Sequence, residues 1–171
     1  MRCLAVCALA LVASACSSDD STTGSTDNAI WPANATQMVV TSEGGGFAPP
    51  APTGSACQSG QASFTLTVAT RNFAWAECQT SGSGPYTSIT SQRVLAQAEF
   101  DGLVEAIRGV TASTKTGCGA DKGDLSLTVT TASGEHEYLD DFYACLQLGT
   151  YVSGLDALFQ ASASLVQSPA Q

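Results

Sequence analysis

Hydrophobic and polar residues alternate in two well-separated places along this chain. Phe64, Leu66 and Val68 interleave with Ser63, Thr65 and Thr67, a period of two that predicts a strand over 62–69 with one face buried. Thr70-Arg71-Asn72 can turn, and a return strand is predicted over 73–78, with Phe73 and Trp75 on one face. The pattern repeats at 125–131, where Leu125, Leu127 and Val129 point one way. Ser133-Gly134 then turns the chain and 136–142 returns. An earlier short strand is predicted over 37–41. The glycine run Gly44-Gly45-Gly46 follows it, and Pro49, Pro50 and Pro52 then exclude helix and central strand.

Two stretches switch to helical spacing. Leu95, Phe100, Leu103, Val104 and Ile107 fit one helix, with Thr90 or Ser91 as its cap and Gly109 as its stop. Leu155, Leu158, Phe159, Leu165 and Val166 form one stripe of a second helix. Ser153 can cap that helix, and Asp156 suits the positive end of its dipole.

The order strand, hairpin, helix, hairpin, helix forces no parallel crossover. It predicts an α+β fold: an antiparallel sheet of two hairpins with two helices packed on one face. A single globular domain is expected over 37–168.

The start of the chain reads differently. Arg2 precedes an unbroken run of apolar and small residues to Ala15, and Ala13-Ser14-Ala15 leads into Cys16. This order is that of a secretory signal over 1–15. It resembles the lipobox of bacterial lipoproteins, which implies diacylation of the Cys16 thiol and cleavage before it. The alternative is a plain signal cut at Ala13-x-Ala15, releasing an unanchored protein. Residues 16–36 are rich in Ser and Thr and suit a tether. The apolar run is shorter than the roughly 20 residues that span a bilayer. The lipoprotein resemblance implies a cell-envelope location and a membrane held through lipid. Ser17, where Asp would signal retention, points to the outer membrane.

Charge narrows the partners. Fifteen acids against six bases give a net charge of −9, and charged residues make up only 12% of the chain. Nucleic acid requires a basic surface and is excluded as a partner. The acidic balance suits solubility or a basic partner such as an envelope or secreted protein, and a secreted domain with no charged ligand is the favoured reading.

Cysteine use agrees with export. Cys3, Cys7 and Cys16 fall in or at the end of the leader, leaving Cys57, Cys78, Cys118 and Cys145. In an oxidising compartment these are two disulfides with three possible connectivities. Cys57–Cys78 and Cys118–Cys145 are favoured, because each pair brackets one hairpin. No C-x-x-C pair and one His in the chain leave no zinc set, so no metal and no cofactor are expected.

Catalytic chemistry has little to draw on. His136 is the only histidine, so a hydrolase would depend on it, with Tyr138 and Asp140 on the same strand face. Neither G-x-S-x-G nor H-E-x-x-H occurs, and no catalytic residue is assigned. Asp121, Asp124, Asp140 and Asp141 lack the Asp-x-Asp-x-Asp-Gly order of a calcium loop and read as solvated loop residues. Phe73, Trp75 and Phe142 are expected in the core. Phe47, in its glycine-rich loop, is the best candidate for a surface position, the alternative being that it tucks under the sheet.

Gly45-Gly46-Phe47-Ala48 resembles a stretch near the start of emfourin-like inhibitors of thermolysin-type metallopeptidases. The run from Glu99 to Leu103, the alternating hairpin at Leu125 to Val129 and a C-terminal helix occur in the order that this family shows. The resemblance implies a protein that binds and inhibits a peptidase. Partner contact at Gly45, Gly46, Phe47 and Ala48 is expected from the residues themselves, because the glycines let another chain approach closely and Phe47 offers a compact apolar anchor. The readings carried forward are a lipid-anchored, exported binding module, a passive envelope protein of structural role, and a secreted hydrolase depending on His136.

Overall fold

Two-residue alternation builds most of the sheet. The computed structural model describes residues 30–44, 50–80, 82–119 and 123–167. Strands β1 (Gln37–Glu43), β2 (Gln61–Thr67), β3 (Asn72–Gln79), β4 (Thr87–Val94), β5 (Thr111–Ala112), β6 (Leu125–Thr131), β7 (Gly134–Asp140) and β8 (Tyr151–Ser153) form one sheet. Their spatial order is β4-β3-β2-β1-β6-β7-β8-β5. Helices α1 (Gln97–Arg108) and α2 (Leu155–Gln167) complete an α+β fold. The sheet is larger than two hairpins, and it is not purely antiparallel, because β8 runs parallel to β7.

Strand β1 is the centre of the sheet and pairs antiparallel with both hairpins, Val40 lying opposite Phe64 on one side and Leu127 on the other. Met38, Val40, Phe64, Leu66, Leu127 and Val129 are all fully buried. They share one core with Leu103 and Ile107 of α1 and Leu155 and Leu158 of α2. Burying each such side chain contributes about 1.5–3 kcal/mol. Phe64 anchors the aromatic part of this core, stacked at 6.1 Å on Phe73 and edge-on at 5.2 Å to Phe159.

The cysteines pair Cys57–Cys78 and Cys118–Cys145, with Cα–Cα distances of 5.8 and 5.2 Å. The first bridge ties the segment before β2 to β3. The second ties the loop before β6 to a 3₁₀ turn, Ala144–Leu146, beyond β7.

The structure corrects the sequence reading at several points. Thr90 and Ser91 do not cap a helix, because they lie inside β4, paired with Ala76 and Trp75. Helix α1 starts after Ala96, and the Glu99 carboxylate accepts the Ala96 N–H at 2.9 Å. Gly109 does end that helix. Ser153 lies in β8 rather than capping α2; Gly154, at φ +94°, makes the turn into the helix. Phe142 is only partly buried and packs edge-on against Tyr143 at 5.3 Å, apart from the main core. Ile30, Trp31 and Ala35 are buried in that core, so the packed unit reaches back beyond the Gln37 boundary into the stretch read as tether.

Candidate functional site

The most distinctive concavity is a hollow of about 210 Å³ where β1, β6 and β7 meet the segment that follows β7. Sheet register builds its floor. Ser126 lies opposite Leu139, and Leu139 lies beside Tyr151 in the parallel β7–β8 pair. Leu146, Leu148 and Tyr143 add an apolar wall. Leu146 and Leu148 are 54% and 73% exposed, which with Val94 makes them the most exposed large hydrophobics among the described residues.

Local backbone geometry places that wall. The Cys118–Cys145 bridge and a backbone hydrogen bond of 2.8 Å from Gly119 N–H to the Phe142 carbonyl hold the 3₁₀ turn. Gln147 at φ +52° then reverses the chain. The Leu148 N–H donates to the Tyr151 hydroxyl at 3.0 Å, which bends the loop over Leu139.

The rim is acidic. Glu43, Asp124 and Glu137 line the same hollow. Glu43 sits beside Asp124, its N–H donating to the Asp124 carbonyl at 3.1 Å. Among the described residues, none of the three carboxylates is ion-paired. Also among the described residues, no group of three or more His, Cys, Asp or Glu is placed to hold a metal ion. The hollow therefore combines exposed leucine and tyrosine surface with uncompensated negative charge. That chemistry suits a basic side chain with an apolar neighbour.

Asp140 and Asp141, adjacent in sequence, hold local structure. Asp140 is 6% exposed, and its Oδ1 accepts the Phe142 N–H at 2.9 Å. Asp141 is 7% exposed and accepts hydrogen bonds from Ser153 Oγ at 2.5 Å, Ser113 Oγ at 2.7 Å and Lys115 Nζ at 3.0 Å. Burial pushes the Asp141 carboxyl up, but these three donors together outweigh it and hold it below the ordinary carboxylate range. The donors lie in β8 and just after β5, so Asp141 ties the short strands at this edge of the sheet to the end of β7.

His136 lies on β7 opposite Val129 and is exposed. The register does put His136, Tyr138 and Asp140 on one side of β7, but they grade from exposed to buried along the strand, and Asp140 is occupied by its backbone partner. Asp124 is on the hollow's rim, while Asp121 lies outside the described residues. So do Cys16, Gly45, Gly46, Phe47 and Ala48. Glu43, two residues before Gly45 in the chain, is a rim residue of the hollow. Sequence reasoning missed the hollow itself, since Leu139, Leu146, Leu148 and Tyr151 come together only through the parallel β7–β8 pair.

A second depression of about 370 Å³ is broader and lies over β2, β3 and β4. Ser63, Thr65, Ala74, Trp75, Ala76, Thr90, Ser91 and Gln92 line it, with no charged side chain. Trp75 is its one large apolar surface among small hydroxyl and methyl groups, and no charge there selects a ligand as the rim of the acidic hollow does.

Compared with protein-family models, curated proteins and solved structures, the chain matches none of them. Among the described residues no helix is long and apolar enough to cross a membrane.

Proposed function

We propose that this chain is a lipid-anchored, exported, non-catalytic binding module of the bacterial cell envelope, held at the outer membrane through Cys16. The hollow supports the binding reading. Exposed Leu146 and Leu148 stand beside three unpaired carboxylates on a frame braced by a disulfide and by Asp141. A rigid apolar patch with an acidic rim favours an exposed basic segment of a protein partner, since little ordering entropy is lost on its side of the interface. Gly45, Gly46, Phe47 and Ala48, which follow Glu43 and Gly44 in the chain, are the second stretch assigned to partner contact. Inhibition of a thermolysin-type peptidase is the form of binding to which the resemblance of that loop points.

Two measurements test this. Mass spectrometry of the mature protein should find an acylated N-terminal residue at Cys16; a chain that begins later, or a free Cys16 thiol, refutes the anchor. Titration with a capped Leu-Lys-Leu peptide should shift NMR signals of Leu139, Leu148 and Tyr151. A Leu-Glu-Leu peptide should not. Equal responses to both peptides, or none, refute the binding site.

A further inference from the structure

The two ends of the sheet are finished differently. At one end stands β5, only two residues long, and a very short edge strand offers little to a foreign chain. At the other end stands β4, eight residues in unbroken register with β3 from Thr87 opposite Gln79 to Val94 opposite Asn72. Natural edges are usually blunted by proline, bulges or charge. Strand β4, Thr-Ser-Ile-Thr-Ser-Gln-Arg-Val, has no proline and no bulge. Its one charge, Arg93, is neutralised by Glu99.

Hydrogen-bonding direction shows which groups this edge presents. The Leu95 N–H donates inward to the Arg71 carbonyl at 2.9 Å. With a period of two, residues 89, 91 and 93 also turn their amides toward β3. Residues 88, 90, 92 and 94 turn theirs outward. Tyr86 fits this alternation, because its carbonyl accepts the Ala56 N–H at 2.9 Å from outside the sheet. That contact covers the edge just ahead of β4, and among the described residues no strand pairs with the outer side of 88–94.

We infer that β4 is a self-association edge, at which a second copy of this chain pairs antiparallel with the first about a two-fold axis at Ser91. This register uses every outward amide. Thr90 faces Gln92 of the second copy, Ser88 faces Val94, and Ser91 meets its own copy at the axis. A chain of net charge −9 repels its copy over most of its surface, but β4 carries no acidic residue. Ile89 and Val94, 39% and 61% exposed, are covered by the pairing, Ile89 lying across from the aliphatic stem of Arg93. A copy of the same strand needs no net charge to specify it, and β4 carries none once Arg93 is paired with Glu99. Seven paired residues make a small interface, so a dimer with Kd between about 1 µM and 1 mM is expected.

Sedimentation velocity on the processed chain, in detergent where it carries lipid, reads this directly. Wild type should move from monomer to dimer as concentration rises toward about 1 mM. Thr90→Pro removes an outward N–H that β3 does not use, as edge strands tolerate. It should abolish the dimer at unchanged melting temperature. Should that variant fail to fold, Thr90→Lys with Gln92→Lys places like charges opposite each other across the axis and should likewise give monomer. Ser91→Cys should yield, by peptide mapping, a product linked to its own copy through position 91. A chain that stays monomeric throughout overturns the inference, and so does a dimer that survives both the Thr90→Pro and the double-lysine changes.

Discussion

The Arg93 guanidinium grips the Glu99 carboxylate through two hydrogen bonds of 2.8 Å each, joining the last residues of β4 to the first turn of α1. Arg93 Nη2 also donates to the Leu165 carbonyl of α2 at 3.0 Å. One side chain thus fastens the sheet edge to both helices. Arginine is suited to this because its planar fork matches the carboxylate in a way that lysine cannot.

The hydrogen bonds from Arg93, then that from Ala96, lower the Glu99 pKa from 4.5 to about 2. A depressed carboxyl stabilises the fold above its unfolded pKa, and that contribution is lost as pH falls through the folded value. Glu99→Gln should cost about 1–2 kcal/mol at pH 7. In urea melts, the gap between wild type and variant should shrink below pH 4.5 and close near pH 2. Arg93→Lys should not restore the loss. A gap that stays constant down to pH 2 would show that the pair is energetically idle.

Asp141 should matter more than its neighbourhood of loops suggests. Asp141→Asn weakens three hydrogen bonds at a buried position and should cost about 1–3 kcal/mol, measured by thermal unfolding. Because its pKa is also lowered, that stabilisation should fade as pH drops below the ordinary carboxylate pKa of about 3.9. His136→Ala, at an exposed position, should stay within about 0.5 kcal/mol of wild type.

The two disulfides close loops of 21 and 27 residues and should each contribute roughly 3 kcal/mol. Their loss should differ in a second readout. Replacing Cys118 and Cys145 by Ser frees the turn that carries Leu146, so affinity of the hollow for Leu-Lys-Leu should fall. Replacing Cys57 and Cys78 should lower the melting temperature by a similar amount and leave that affinity intact.

Gly44→Ala should be damaging for a reason confined to the backbone. Gly44 sits at φ +74°, and a Cβ there would lie 2.6 Å from the Ser59 carbonyl oxygen. Both effects oppose any side chain, so a loss of about 1–3 kcal/mol is expected in chemical denaturation. Gly54, at φ +87° in open space, has the strained angle without the clash, and its Ala variant should lose less.

Strands β2 and β6 were legible because one face of each is buried and the other only half-buried. Phe64, Leu66, Leu127 and Val129 therefore print a period of two onto the chain. Strand β4 leaves no such print, because nearly all its side chains are exposed. Its Thr and Ser residues then read as helix caps. Strands β5 and β8 are two and three residues long, too short for any periodicity. Of the candidate site, the acidic character was visible in composition, but the hollow was not.

By itself, the sequence determined the α+β class, the strand pairs around 62–78 and 125–142 and the two apolar helix stripes, and it favoured one of the three pairings open to Cys57, Cys78, Cys118 and Cys145. All of these follow from local spacing, which the periods of strand and helix translate directly into a face. Tertiary structure alone decided that β1 inserts between the hairpins and that β8 lies parallel to β7. It also joined Asp141 to Ser113 and Ser153, and set Leu139, Leu146, Leu148 and Tyr151 around one hollow with Glu43, Asp124 and Glu137. These are pairings between residues far apart in the chain, and they are selected by the collective burial of one core rather than by any spacing along the sequence.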